Sequence, residues 1–188
     1  QALRESLPSM VAKDVTPHLD RLRLIKTPRE IDILRRNGRL SAEALARAIA
    51  ISKPGAYEYE FEAEARYWLL RNGVQADAYP AIVGSGPNGN QWHYMDNGRR
   101  TVAGDLWPVS GRFSDEQQRA YQCVLDAQLA MIAAMRPGAA RQSIQDAGER
   151  VFRARGFDPR YAYSGHYVGL SVHDVGDWNL PLEAGMVL

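Results

Sequence analysis

Three histidines stand in stretches where functional side chains often gather. The stretch SGHYVGLSVHDVGDW (164–178) places His166 and His173 seven positions apart among glycines and β-branched residues. His93 follows the glycine-rich stretch GSGPNGNQW (84–92). An imidazole changes its charge near neutral pH and binds metals, so it suits metal coordination, proton transfer or stabilisation of a tetrahedral intermediate. The competing interpretation is a hydrogen-bonded structural histidine, which is the commoner role for a histidine considered alone.

The spacing of His166 and His173 sets a geometric condition for any shared role. Side chains alternate along a straight strand, and seven is odd, so the two rings would lie on opposite faces. Gly169 lies between them and permits a bend or bulge, after which both rings would face one cavity. Asp174 would then point away from His173, which favours an orienting or turn role for this carboxylate.

Other chemistries find little support in the sequence. GSGPNG (84–89) has neither the spacing nor the lysine of a phosphate-binding loop. Ser85 and Ser164 lack the pattern of a nucleophile elbow. Cys123 is placed within a helix near its apolar face, which is a poor setting for a reactive thiolate. His18, beside Pro17, has no supporting motif.

The composition is that of an ordinary globular protein and excludes two partner classes. A hydrophobic content of 45% and a net charge of +1 give no electrostatic reason to bind nucleic acid or an anionic membrane. No apolar run approaches the roughly 20 residues needed to span a bilayer. The single cysteine excludes an internal disulfide and suits a reducing compartment, so we expect a cytoplasmic location. The chain begins with Gln1 and shows no signal segment.

Four helices are predicted from their start and stop signals. Thr27 with Glu30, and Ser114 with Gln117, form capping boxes, and Pro28 stands at a first helical position. The four helices start near Thr27, Tyr57, Ser114 and Arg141. In the second helix four glutamates spread around the circumference, so we interpret them as a solvated acidic face: Glu58, Glu60, Glu62 and Glu64. Apolar residues recur at helical spacing in the other three: Ile31, Leu34, Leu45, Ala48 and Ile49; Tyr121, Val124, Leu125, Met131, Ile132 and Met135; Ile144, Ala147, Val151 and Phe152.

The strand signals are weaker and two of them look interrupted. AYPAIVGSG (78–86) is typical of a strand that runs into a turn, and the elements do not alternate as βαβ, so the class is α+β. A strand launched at Gly104 would end at once, because Leu106 is followed by Trp107 and Pro108. A second apolar run begins in LEAGMVL (182–188) and stops at Leu188.

The combined motifs resemble the pita-bread metallopeptidases, which comprise aminopeptidase P, prolidase and the metal-free creatinase. The resemblance rests on LDRLRLIKTPREI, AYPAIVGSGPNGNQWHY, TVAGDL, WPVSGRFSDEQ, GHYVGLSVHDVG and LEAGMVL, which follow the family's order. It implies a pita-bread fold, in which a curved antiparallel sheet is covered by helices. Residues 14–188 would be the catalytic domain, and residues 1–13 resemble the end of a small N-terminal domain.

The resemblance also implies a metal site that this chain holds only in part. Relatives carry two aspartate ligands on a strand pair that would fall between Leu106 and Trp107, and glutamate ligands after the position of Leu188. His166 matches the histidine ligand, and His93 and His173 match the histidines that handle substrate. Ala162 stands where many relatives have a further histidine. The complete protein would bind two divalent ions, Mn²⁺, Co²⁺ or Zn²⁺, which hold a hydroxide and polarise the scissile carbonyl.

The function implied is a metal-dependent exopeptidase that hydrolyses Xaa-Pro bonds in proline-containing peptides and forms a homodimer. The 188-residue chain itself should be inactive, because His166 alone cannot retain a catalytic metal. Two alternatives remain open at this point. One is a pita-bread protein that has lost its metal site and works as a binding module, and the other is creatinase-like hydrolysis without metal.

Overall fold

A computed structural model describes residues 9–11, 13–103, 105 and 112–188 of the chain. Five α-helices lie in this part: α1 (Thr16–Leu24), α2 (Pro28–Ala50), α3 (Glu58–Arg71), α4 (Asp115–Ala134) and α5 (Arg141–Ala154). Two short 3₁₀ turns are also present, one between α3 and α4 (Gly86–Asn90) and one after α5 (Pro159–Tyr161). The helices predicted near Thr27, Tyr57, Ser114 and Arg141 are therefore confirmed.

The helix starts are fixed by local hydrogen bonds, as predicted. The Thr27 hydroxyl accepts from the Glu30 N–H at 3.3 Å, and the Glu30 carboxylate accepts from the Thr27 N–H at 2.8 Å. Ser114 and Gln117 make the same reciprocal pair at the start of α4. Each box satisfies backbone donors that would otherwise lack a partner at the helix end.

Four of the helices pack as two pairs with separate cores. The α2–α3 pair encloses a small core of Ala48, Ala56 and Phe61. The α4–α5 pair shares a larger core with the C-terminal segment: Leu24, Cys123, Ala127, Met131, Ile144, Phe152, Ala162, Tyr167 and Leu182. A side chain at Gly148 would overlap Met131, so the glycine lets α5 approach α4 closely.

Helix α1 belongs to the C-terminal half of the structure although it lies near the start of the chain. The Lys26 N–H donates to the Gly185 carbonyl at 2.8 Å. Arg21 forms an ion pair with Glu183. These contacts join the residue stretch before α2 to the segment that carries His166 and His173.

The periodic apolar residues are buried as expected on α5 but not throughout α2 and α4. Ile144 and Phe152 are buried, and Val151 packs against the same core. In contrast, Leu45 and Ile49 on α2 are exposed. Tyr121, Val124 and Ile132 on α4 are exposed as well. The buried residues of α2 and α4 are mostly smaller or more flexible than those that stay exposed: Leu40, Ala44, Ala48, Cys123, Ala127 and Met131.

The predicted strand over residues 78–83 is not formed, and the described residues contain no named strand. One antiparallel bridge joins Tyr57 and Arg100. The Asn97 side chain accepts from the Val83 N–H at 2.9 Å and donates to the Ala81 carbonyl at 3.0 Å. These bonds replace the partners that a neighbouring strand would supply.

The interruption predicted between Leu106 and Trp107 lies outside the described residues, as does the turn at Gly104. Most of the predicted N-terminal tail, residues 1–8 and residue 12, is outside them too. Over the described ranges, no helix is long and apolar enough to cross a bilayer.

Candidate functional site

His93, His166 and His173 line one cleft with a volume of about 880 Å³. The rings of His166 and His173 are adjacent, with 4.0 Å between their centroids and 37° between their planes. The bend expected at Gly169 has therefore brought both rings to one side. The other walls are mainly apolar, formed by Tyr79, Pro80, Ile82, Trp92, Met95 and Val172, with Gly89, Asn90 and Gln91 at one side.

His166 is half-buried and has a fixed orientation. Its Nδ1 lies 3.0 Å from the carbonyl oxygen of Tyr167. Because a carbonyl can only accept, Nδ1 must carry the proton, which leaves Nε2 as an unprotonated acceptor in the neutral ring. This is the arrangement in which an imidazole is ready to ligate a metal.

The His173 loop, residues 165–175, is held by the buried carboxylate of Asp174. Arg23 donates to Asp174 Oδ1 at 2.5 Å, and the Lys26 ammonium donates to Oδ2 at 3.3 Å. The Asp174 side chain is fully buried and that of Lys26 is nearly so. A side chain at Gly169 would overlap both the Asp174 carboxylate and the Lys26 stem. Asp174 therefore has the orienting role predicted from its position.

The charge of Asp174 is stabilised in place. Burial by itself raises the pKa of this carboxyl. The Val175 N–H and the Lys26 and Arg23 side chains act in the opposite direction and together hold its pKa below the ordinary value. The Asp174 N–H also donates to the Tyr167 carbonyl at 3.0 Å, which closes the loop that separates the two histidines.

The His93 loop, residues 83–99, is held from the inside by Glu58. Oε1 of Glu58 accepts from the Ser85 N–H at 2.7 Å, the Ser85 hydroxyl at 2.6 Å and the Asn88 amide at 3.3 Å. Oε2 accepts from the Tyr94 hydroxyl and the Arg99 N–H, both at 2.8 Å. The backbone of His93 itself has a φ of 56°, a left-handed conformation that few residues other than glycine adopt.

The prediction of a solvated acidic face on α3 is wrong at Glu58, because the accessible surface of this residue is 0%. Burial raises the pKa of this carboxyl, but hydrogen bonds from Ser85, Arg99 and Tyr94 outweigh that effect and lower its pKa overall. One signal in the sequence pointed to this position. Phe61 follows three residues later, so Glu58 shares the helix face that a large apolar residue buries.

A second layer supports this carboxylate. The Arg99 guanidinium donates to the Ser85 hydroxyl at 2.8 Å and forms a short ion pair with Asp105. Asp105 also accepts from the Val102 N–H at 2.8 Å. The aspartate of the AGDL motif is thus engaged in holding the end of the His93 loop.

The remaining sequence candidates are not part of the cleft. Cys123 is buried between α4 and α5, and burial raises the pKa of its thiol, as expected for an inert cysteine. His18 is exposed on α1. Over the described part of the chain, no group of three or more histidine, cysteine, aspartate or glutamate side chains is placed to hold a metal ion.

Comparison with known proteins gives consistent matches. The family model described as Metallopeptidase family M24 matches residues 32–110 and 105–188. The Xaa-Pro aminopeptidase of Escherichia coli K12 is 30% identical over 93% of this chain and 49% of its own length. The Xaa-Pro dipeptidase of Pyrococcus furiosus is 26% identical over 81% of this chain and 49% of its own length. A structure of Zn-substituted E. coli aminopeptidase P in complex with product superposes with a TM-score of 0.84, at 29% identity, and covers 92% of this chain and 49% of that chain.

Two features of these matches concern length. The chain spans about half the length of the curated relatives it matches. The alignment with the E. coli enzyme extends over 217 residues, although this chain has 188, so that relative contains residues with no counterpart here. The two matches to the family model adjoin at residues 105–110, where the AGDL motif meets the WPVSG stretch.

Proposed function

Because this chain belongs to metallopeptidase family M24, we propose that the full-length protein is a metal-dependent exopeptidase that hydrolyses Xaa-Pro bonds. The observation that carries the proposal is the meeting of His93, His166 and His173 in one cleft. His93 comes from a stretch about 70 residues before His166 and His173, and a purely structural role for each gives no reason for it to meet the other two. The Xaa-Pro aminopeptidase and Xaa-Pro dipeptidase relatives supply the substrate class.

His166 is the proposed metal ligand. Its Nδ1 is engaged by the Tyr167 carbonyl, so Nε2 is the atom available for coordination. The described residues do not by themselves fit a metal ion, since a catalytic site needs about three protein ligands and only this one imidazole is oriented for the task. The carboxylate ligands of the proposed site therefore lie outside the described residues. The Zn-substituted relative supports a divalent ion, and Mn²⁺, Co²⁺ and Zn²⁺ are the proposed ions.

His93 and His173 are the proposed substrate-handling residues. Both are exposed within the cleft, so their ring N–H groups are accessible to a peptide. An imidazole there donates to the oxygen of a tetrahedral intermediate or transfers a proton to the leaving amine. The apolar walls formed by Tyr79, Ile82 and Val172 suit the non-polar ring of proline and the residue before it.

The proposed architecture of the full-length protein includes the curved antiparallel sheet. Residues 14–188 form the catalytic domain in this proposal, and residues 1–13 belong to the end of an N-terminal domain. The sheet is completed by a strand pair between residues 106 and 107, a location supported by the meeting point of the two family matches. Assembly as a homodimer and a cytoplasmic location remain predictions, to be checked by sedimentation and by cell fractionation.

A binding module without metal is the second candidate, favoured by the absence of a ligand cluster among the described residues. The two candidates differ in one measurable property. A peptidase takes up a divalent ion and turns over peptide, whereas a binding module retains peptide without cleavage and without metal. Creatinase-like hydrolysis would instead proceed fully after metal removal.

The test uses full-length protein stripped with a chelator and then given Mn²⁺, Co²⁺ or Zn²⁺. Xaa-Pro dipeptides and longer Xaa-Pro peptides are supplied, and metal content is measured alongside turnover. Cleavage of dipeptides only assigns a dipeptidase, and cleavage of the longer peptides assigns an aminopeptidase. Well-folded protein with no metal-stimulated cleavage of either would refute the proposal.

Three histidine variants make the test specific. His166→Ala should abolish turnover and weaken metal binding. His173→Ala should mainly lower kcat while the metal remains bound. His18→Ala is the matched control, because His18 is exposed on α1 and lies outside the cleft, and it should leave both properties unchanged.

A further inference from the structure

Glu58 is fully buried beneath the His93 loop and accepts five hydrogen bonds from it, unlike its neighbours on α3. Both of its oxygens are used, and the donors come from both sides of His93 in the sequence: Ser85, Asn88, Tyr94 and Arg99. Tyr94 is the residue next to His93. The carboxylate therefore connects the start, the middle and the end of the loop to the first turn of α3.

The chemistry of these contacts requires a carboxylate rather than an amide. One backbone N–H, from Ser85, donates to Oε1, and another, from Arg99, donates to Oε2. A backbone N–H can only donate. A glutamine has one acceptor oxygen and one NH₂ group, so in either orientation its NH₂ faces a backbone donor. A change that conserves shape thus breaks one of the two anchor points.

The loop needs such an anchor because its backbone is strained at the functional residue. His93 and Asn97 both have positive φ, at 56° and 45°. Conformations of this kind persist only where the surrounding contacts hold them, and they are common at functional sites. Asn97 has its own contacts with Glu62, Ala81 and Val83, whereas the His93 ring has no described hydrogen bond and its described ring contact is with Trp92, which is itself exposed. The position of the His93 ring then depends on the backbone that Glu58 holds.

We propose that Glu58 is a positioning residue that sets the orientation of His93 in the cleft. This inference rests on the proposed function for its kinetic consequence, but its structural consequence is independent of any activity. It predicts that loss of the Glu58 carboxylate lowers catalysis through displacement of His93, separately from any loss of stability.

A double-mutant cycle in the full-length protein tests this prediction. Glu58→Gln should lower kcat by about 10-fold to 100-fold with KM changed by less than about 3-fold, since misplacement of a group by about 1 Å costs catalysis on this scale. In a His93→Ala background the same change should have little further effect, because the residue it positions is gone. Equal losses of kcat in both backgrounds would overturn the proposal.

A second measurement reports on His93 without activity. The imidazole resonances of ¹³C-labelled histidine are recorded, and His93 is assigned from the His93→Ala variant. Glu58→Gln should shift or broaden the His93 resonance and leave that of His18 in place. If wild-type protein is inactive but this shift appears, the proposed function fails while the positioning role stands. An unchanged His93 resonance in folded Glu58→Gln protein overturns the positioning role.

Matched variants complete the design. Glu64→Gln neutralises a carboxylate on the same helix that pairs with Arg47 at the surface, and it should change neither kcat nor the His93 resonance. If Glu58→Gln does not fold, Tyr94→Phe takes its place, because it removes one donor to Glu58 beside His93. It should lower kcat by about 3-fold to 10-fold. A Tyr94→Phe protein with wild-type kcat and an unshifted resonance counts against the proposal.

Discussion

The His93 loop is held by a carboxylate that accepts hydrogen bonds from backbone, amide and hydroxyl groups, whereas the His173 loop is held by a carboxylate paired with two cations. Glu58 receives five hydrogen bonds from four residues of one loop. Asp174 receives its side-chain bonds from Arg23 and Lys26, which flank the end of α1. Both loops deliver a histidine to the same cleft.

The difference concerns what each anchor depends on. The Glu58 contacts span 27 to 41 residues and close one loop onto the helix beside it. The Asp174 contacts cross about 150 residues of chain and join the start of the described chain to its end. The first anchor therefore shapes a loop, and the second also holds two distant segments together. Loss of the Asp174 carboxylate should therefore lower stability more. Loss of the Glu58 carboxylate should instead disorder the position of its histidine, His93, more.

The largest expected effect is that of Asp174→Asn. The change leaves the nearly buried Lys26 ammonium without an anionic partner, so we expect the free energy of unfolding to fall by about 3 kcal/mol or more. Glu58→Gln leaves only one mispaired backbone N–H and should cost about 1–3 kcal/mol. Urea unfolding of both variants of the full-length protein makes the comparison. A larger loss for Glu58→Gln would reverse the ranking of the two anchors.

Gly169→Ala should come next. An added Cβ would overlap the Asp174 carboxylate, so the loop must shift, and overpacking of this kind costs about 1–3 kcal/mol. Gly38→Ala on α2 is the matched control, because nothing lies within 4 Å of its added Cβ. There alanine should instead stabilise the helix by about 0.5–1 kcal/mol. The two melting temperatures should move in opposite directions, and a stabilised Gly169→Ala protein would contradict the proposed close packing.

Protonation is a milder perturbation, because it leaves both oxygens of each carboxyl in place. The folded-state pKa values of Glu58 and Asp174 are lowered, so each contributes stability that is complete above the unfolded-state pKa and is lost as pH falls through the folded-state pKa. Stability should therefore decline below about pH 4. Asp174→Asn and Glu58→Gln should each show a shallower decline. If a variant loses stability with acid as steeply as the wild type, the carboxyl that it lacks does not contribute to the pH dependence.

Ser85→Ala should have the smallest effect of the series. It removes one of the three donors at Glu58 Oε1 but keeps the backbone N–H of the same residue, so a loss of about 1 kcal/mol is expected. The Arg99 guanidinium keeps Asp105 as its acceptor. Thermal unfolding measures the change. A loss as large as that of Glu58→Gln would mean that the hydroxyl, rather than the carboxylate, organises the loop.

Four of the five described helices and their ends were predictable because their signals are local, whereas α1 has no side-chain cap at its start and was not predicted. Thr27 and Glu30 satisfy each other three residues apart, and so do Ser114 and Gln117. Which face of each helix is covered was less predictable. Leu45 and Val124 follow the helical period but remain exposed in the described structure, whereas mostly smaller or more flexible residues of the same helices are buried.

The sequence predicted the three histidines of the cleft and an orienting role for Asp174, but it missed Glu58 as the support of the His93 loop. The bend at Gly169 could be inferred from the parity of the spacing between His166 and His173. The burial of Glu58 could not be inferred with the same ease, because four glutamates alternate in that helix and the loop that covers one of them lies about 25 to 40 residues further along.

The sequence by itself determined the boundaries of four helices, the three candidate histidines and the family resemblance, because each depends on residue types within a few positions of one another. The tertiary structure decided which carboxylates are buried, which cations they meet and whether the three imidazoles share a cleft. Those properties depend on segments that the chain order keeps apart. A carboxylate becomes an anchor only when donors from distant segments replace its water, and no local sequence pattern predicts which donors will reach it.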